Sequence, residues 1–250
     1  MCGRAHAENE GDNAVATKPV RIEREESFFQ RMAIGLALFI LFGFAQFAAR
    51  GIVDYRQVPL IVHAHAAAMT TWLGLLMLQS VLAQRMDISM HRALGLASLG
   101  LVVAIPPLAI ATCVTALRLH AVPPFFAPAF FLMLVTIESL TFAGLIIAAV
   151  LLRTQRDWHM RLIIGATVIL MEPALGRLLP MPLLGAWGEW LAMAVQLAAV
   201  AIVARRDIAM HGALHRATLV IGGAVIATHV VDTLLAEVPV VIRITQSIAG

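Results

Sequence analysis

Long apolar runs recur along the chain and leave it few ways to fold. They lie at about 32–49, 58–83, 94–118, 125–152, 162–181, 186–204 and 217–238, and a bilayer core about 30 Å thick needs about 20 such residues per helix. Backbone amides in hydrocarbon must find partners inside their own segment, so runs of this length are helices. Only 13% of the residues are charged and 60% are hydrophobic, against about 25% charged in soluble domains. The expectation is an all-α, polytopic membrane bundle of seven transmembrane helices over residues 32–250, after a polar tail of residues 1–31.

That tail (ENEGDN, then RIEREESFFQR) lacks the short basic n-region and apolar h-region of a secretion signal. It reads as a retained tail, with the first helix acting as signal anchor. Basic residues then orient the bundle. A cytoplasmic N-terminus places Arg4, Lys18, Arg21, Arg24 and Arg31 inside, with Arg85, Arg92, Arg153, Arg156, Arg161, Arg205, Arg206 and Arg216 in the inner turns. Only Arg50, Arg56, Arg118, Arg177 and Arg243 of the 18 basic residues fall outside. The N-terminus is expected in the cytoplasm and the C-terminus outside.

The net charge of +3 is a loop asymmetry, with no basic patch interleaved with aromatics to suggest nucleic acid. The expected partner is the lipid bilayer, with a small molecule or redox protein as a further candidate. Cys2 in the inner tail and Cys113 near the outer end of the third helix cannot approach to the roughly 6 Å Cα separation of a disulfide.

Three inner turns share a pattern: RMDISMHRAL (85–94), RRDIAMHGAL (205–214) and, more loosely, QRDWHMRLII (155–164). The first two suggest either a duplicated hairpin or two copies of one good turn. Asp87 and Asp207 are expected to cap helix N-termini, with the neighbouring Arg and His residues facing lipid headgroups. His211 and His215, one helical turn apart, could alternatively share a metal.

VHAHAAAMTTW with Gln79 in the second helix, MHRALG opening the third, WHMRLIIGATV opening the fifth and EPALGRLLP closing it together resemble a group of largely uncharacterised bacterial seven-helix inner-membrane proteins. The resemblance covers about residues 30–220. It implies a multi-pass protein of the bacterial inner membrane and carries no reaction, so no residue roles transfer from it.

Ionisable groups inside a bilayer cost about 2.5–3.5 kcal/mol each near its centre and mark candidate sites. His65, Cys113, Glu172, Arg177, His229 and Asp232 all fall in the expected outer half. On the second helix, positions 65, 69, 72, 76 and 79 share one face, so His65 points inward with Trp72 and Gln79 below it, while His63 points elsewhere. His229 and Asp232, three apart, are neighbours, and a carboxylate beside an imidazole can fix its tautomer.

Three readings of this set stand side by side. One is a haem b held by His65 and His229, with Arg177 pairing a propionate and Trp72 and Gln79 alongside. Another is a zinc or iron centre of His65, His229, Asp232 and Glu172, a mixed nitrogen and oxygen set. The third makes the same groups interhelical hydrogen-bonding glue.

Glu138, in the middle of the fourth helix, suits either a proton path or a hydrogen bond to a neighbouring helix. Pro106 and Pro107, and Pro173 after Glu172, predict kinks or breaks that can line a cavity. The only lysine is Lys18 in the tail, which excludes a retinal Schiff base. No Ser/His/Asp spacing, phosphate loop or histidine-box series marks an enzyme class. The functional expectation is a haem or metal site serving electron transfer, with a proton-linked transporter and a non-catalytic assembly protein as alternatives.

Overall fold

The computed structural model describes the backbone of residues 5–85 and 87–250, and side chains from Arg24 onward except residue 86. Among the described residues every regular element is a helix, with no strands. Helices α1 (Ala5–Ala49), α2 (Leu60–Gln84), α3 (Ile88–Arg118) and α4 (Pro128–Leu151) lead to three shorter ones, α5 (Arg156–Ile169), α6 (Glu172–Leu178) and α7 (Met181–Leu184). Helices α8 (Trp187–His211), α9 (Arg216–Ala236) and α10 (Pro239–Ala249) complete the chain. Six segments, Arg24–Ala49 of α1 together with α2, α3, α4, α8 and α9, are long and apolar enough to cross a membrane. Their outward faces carry bare apolar side chains, among them Leu60, Leu96, Val103 and Leu219, as a chain solvated by lipid requires. This is a multi-pass membrane protein.

The fifth apolar run is interrupted where the others are continuous. Pro173 has no N–H to give the carbonyl four residues back, and its ring crowds that carbonyl. The carbonyl is Ile169 O, and α5 ends at Ile169. In α3, by contrast, Pro106 and Pro107 sit inside an unbroken helix. Helix α5 is also the most enclosed, with Leu162 and every residue from Ile164 to Ile169 buried among α1, α4, α8 and α9.

Contacts between side chains fix helix directions. Arg161 meets Asp207 and Gln196 meets Ile169, so α5 and α8 are antiparallel. Thr218 meets Asp207 and His229 meets Gln196, so α9 runs against α8 and along α5. His159 Nδ1 lies 2.8 Å from Ala149 O across the tight α4–α5 turn, so α4 opposes α5 and therefore α9. Gln84 Nε2 donates to Ser27 Oγ at 2.8 Å and the His91 ring centre lies 6.5 Å from that of His159, so the turns after α2, α4 and α8 gather at one end of the bundle, here the basic end.

At that end the packed structure reaches further back than residue 31. Glu25 and Phe29 are buried, Glu25 Oε1 accepts from Arg161 Nη2 at 2.9 Å, and the Arg161 guanidinium lies 5.0 Å from the Phe29 ring centre. A boundary between tail and bundle at 31/32 therefore cuts through a packed helix. A reading by charge alone misses it because Glu25 has its counterion on another helix. Cys113 is buried with a free thiol, whereas Cys2, Arg4, Lys18 and Arg21 lie outside the described side chains.

The repeated decamer folds in two ways. Asp87 caps α3, its carboxylate accepting Met90 N–H at 3.2 Å. Asp207 is no cap: it lies within α8, which continues to His211 and ends at Gly212 with φ +74°. The first decamer has Arg92 in the place of Gly212, and a side chain there disfavours the left-handed conformation that stops α8. The two segments do not form the same turn.

Candidate functional site

The freed carbonyl at the α5 break is the starting point. Gln196, on the buried face of α8, directs Nε2 toward Ile169 O at 3.5 Å and donates from the same nitrogen to Glu172 Oε2 at 3.2 Å. A carbonyl only accepts, so it sets which way the Gln196 amide faces. Gln196 Oε1 is thereby turned toward His229 Nε2, 3.1 Å away, and must accept from it. His229 then has its Nε2 proton engaged, and its Nδ1 lies against Glu189 Oε1. When the ring is neutral, Nδ1 presents a lone pair to a carboxylate oxygen. Two such groups are held together only by something positive between them, a proton or a metal ion.

Asp232, one turn beyond His229 on α9, completes the cluster. Among the described residues, Glu189, His229 and Asp232 form one group of three whose ligand atoms all lie within 4.8 Å of one another, and all three are buried. Thr233 Oγ1 donates to His229 O at 2.7 Å and lies 3.4 Å from Asp232 Oδ1. Glu189 Oε2, Asp232 Oδ2, Glu172 Oε1 and Glu138 Oε1 have no hydrogen-bond partner. Buried oxygens of this kind are rare and costly. Here four of them converge from α4, α6, α8 and α9.

The start of α8 favours one of these acids where it stands: Glu189 occupies its first turn, where backbone N–H groups without partners favour negative charge.

His229, Asp232 and Glu172 from the sequence-derived metal set therefore do come into one neighbourhood, and Glu138 joins them. His65 stands apart from the triad. Helix α2 packs mainly on α1 and α3, whereas α9 packs on α4, α5, α8 and α10. The charge acting on His65 is that of Arg177, and its Nδ1 has no partner. Its facing is as read from the sequence, since His63 is exposed while Trp72 and Leu76 are buried. Arg177 donates to Pro173 O at 2.7 Å and lies 4.1 Å from the Phe44 ring centre and 5.4 Å from that of Phe47. Trp72 packs edge-on against Phe142 at 5.1 Å. Gln79 donates to His91 O at 3.1 Å, a contact that joins α2 to α3.

The histidines at the basic end have other partners. His211 Nε2 lies 3.4 Å from Glu25 Oε1, and His215 Nδ1 accepts Ala217 N–H at 3.1 Å as the cap of α9. Burial, followed by the Arg161 charge, pushes the His215 imidazole below its usual range, in keeping with that accepting role.

Glu189 and Gln196 are the site residues that the sequence reading missed. The signal was present: residues 189, 192, 196, 199, 203 and 207 follow one helical face of α8, and that face is buried. It holds Glu189, Gln196 and Asp207 among small and apolar residues.

Comparisons of the chain with protein-family models, with curated proteins and with solved structures give no match.

Proposed function

We propose that this chain is a seven-span inner-membrane metalloprotein that holds a divalent transition metal, zinc or iron, through Glu189, His229 and Asp232. One observation carries the reading: three buried ligand atoms within 4.8 Å of one another, with Glu189 Oε2 and Asp232 Oδ2 unpartnered. The donor set is one imidazole and two carboxylates, suited to either metal. Gln196 acts as the orienting partner of the imidazole, accepting from Nε2 so that Nδ1 can face the metal. Three protein ligands leave positions open, the pattern of a reactive centre. A metal bound there supplies Lewis acidity or, if iron, electron transfer.

In this reading α5 and α6 together make the fifth crossing, the basic end faces the cytoplasm and the site lies in the outer half. The excess of arginine in the turns at the basic end supports that orientation.

A second reading, proton-linked transport, is favoured by the unbroken chain of contacts from Glu189 through His229 and Gln196 to Glu172, beside a discontinuous helix. There a proton occupies the place of the metal.

Metal analysis and an absorption spectrum of detergent-purified protein separate these readings. The metalloprotein reading expects bound metal that is lost in His229→Ala and Asp232→Ala and kept in His65→Ala. Metal-free, colourless wild-type protein after expression with metals and haem supplied refutes it. So does metal or haem lost on His65→Ala.

A further inference from the structure

Arg177 closes the fifth apolar run at the end of the bundle opposite the basic turns, in the last turn of α6. Among the described residues it takes part in no ion pair. Its guanidinium makes one hydrogen bond, from Nη1 to Pro173 O at 2.7 Å, although such a group carries five N–H donors. Two acids of the same end are engaged elsewhere. Glu172 has Oε2 held by Gln196 of α8, and Asp54, in the turn after α1, accepts from Arg56 N and Gln57 Nε2, each at 3.0 Å. The Phe44 and Phe47 rings, 4.1 and 5.4 Å from the guanidinium carbon, attract the cation without neutralising it.

Two further polar groups stand at this level. Gln46 Nε2 donates to Gly43 O at 2.9 Å and to Arg177 O at 3.1 Å, which ties the end of α1 to the end of α6. Gln46 Oε1 is left buried without a partner. Gln84 of α2 meets Ser27 of α1, and the two helices are antiparallel. Stepping the same number of residues along each helix from that contact reaches Gln46 on α1 and His65 on α2, and His65 Nδ1 is likewise buried and unpartnered. Deeper along the Gln46 face of α1, at steps of four residues, come Phe42 and Leu38, both exposed.

We propose that Arg177, Gln46 and His65 bind the headgroup of an anionic phospholipid, a phosphodiester that carries glycerol hydroxyls. The guanidinium fork matches phosphate oxygens. Gln46 Oε1 only accepts, so it takes a proton from a headgroup hydroxyl, and His65 supplies a ring nitrogen beside it. The acyl chain lies along Phe42 and Leu38. A free phosphate answers the guanidinium equally well but has no use for that apolar track, which is why the lipid is favoured.

The test is native mass spectrometry of the full-length, detergent-purified protein, titrated with phosphatidylglycerol, with phosphatidylcholine of the same chains, and with glycerol 3-phosphate. Phosphatidylglycerol should bind tightest. Arg177→Met, whose side chain still packs on the two rings, should weaken its tightest binding by about ten-fold or more, the value of a charged hydrogen bond. Arg206→Met is the control, because Arg206 also lies near a ring, 5.4 Å from that of Phe28, but at the basic end; it should leave that binding unchanged. Equal affinity of the wild type for the two lipids overturns the proposal whatever the variants do. Glycerol 3-phosphate bound as tightly as the lipid makes this a free-anion site and overturns the lipid assignment. A loss that is equal in both variants, or absent from Arg177→Met, overturns the location.

Discussion

Removing the Asp207 carboxylate should destabilise the bundle more than other single changes at its basic end. Asp207 and Arg161 are both fully buried. The carboxylate accepts from Arg161 Nε at 3.1 Å and Nη2 at 2.6 Å, from His215 N at 3.2 Å and from Thr218 Oγ1 at 2.5 Å. One side chain therefore ties α5, α8 and α9 together, and through the Arg161 contact with Glu25 it also reaches α1. Asp207→Ala strands the guanidinium with Glu25 and the Asp157 carbonyl, and leaves the His215 amide and Thr218 hydroxyl unpaired. Breaking a buried pair from one side costs about 3–5 kcal/mol. Replacing both members by apolar residues, Arg161→Met with Asp207→Leu, removes the stranded guanidinium and should recover only part of that loss, since Glu25, the His215 amide and the Thr218 hydroxyl then lack these partners. Reversible unfolding from mild detergent into SDS micelles measures the difference. Trp158 fluorescence, isolated by replacing the other three tryptophans with Phe, is a local reporter, because its ring lies 5.7 Å from that of His215. A loss below about 1 kcal/mol for Asp207→Ala, the value of an exposed pair, would refute the hub.

Other consequences are less expensive to check. Gly43→Ala puts a methyl 2.8 Å from Ala174 Cβ and 3.1 Å from Ala174 Cα, so α1 must move off α6; overpacking of this kind costs about 1–3 kcal/mol. Gly144→Ala, with nothing within 4 Å of the new methyl, should be neutral or stabilising in the same unfolding assay. His215 is held below its ordinary value of 6.5, so the folded state binds fewer protons there than the unfolded state and its contribution increases with pH. That contribution is fully present above 6.5 and is lost as pH falls through the lowered value. The slope should flatten in His215→Asn, which keeps a capping oxygen without titrating; an unchanged slope would assign the dependence elsewhere. A topology reporter fused after Gly250 should act on the external face, and a cytoplasmic signal would overturn either the seven crossings or their orientation.

The apolar runs were legible in the sequence because bilayer thickness sets one length for all of them. Their partners were not. Pro173 announced a break in the fifth run, but its freed carbonyl is met by Gln196, 27 residues away, and a contact of that range has no local signature. Matching depths paired His65 with His229, since depth follows from distance along each helix. The order of helices around the bundle does not, and it places α2 mainly against α1 and α3. Glu189 and Gln196 could have been found from the face they share with Asp207. The repeated decamer shows the opposite failure: nearly the same residues open α3 and close α8, with glycine at position 212 in place of Arg92.

The central claim is a metal on Glu189, His229 and Asp232, and X-ray absorption at the metal edge of purified protein tests it most directly. The expected result is a shell of nitrogen and oxygen with the multiple scattering of one imidazole, reduced to oxygen alone in any metal that remains on His229→Ala protein. A two-imidazole haem spectrum, sulfur in the shell, or no bound metal at all would contradict it.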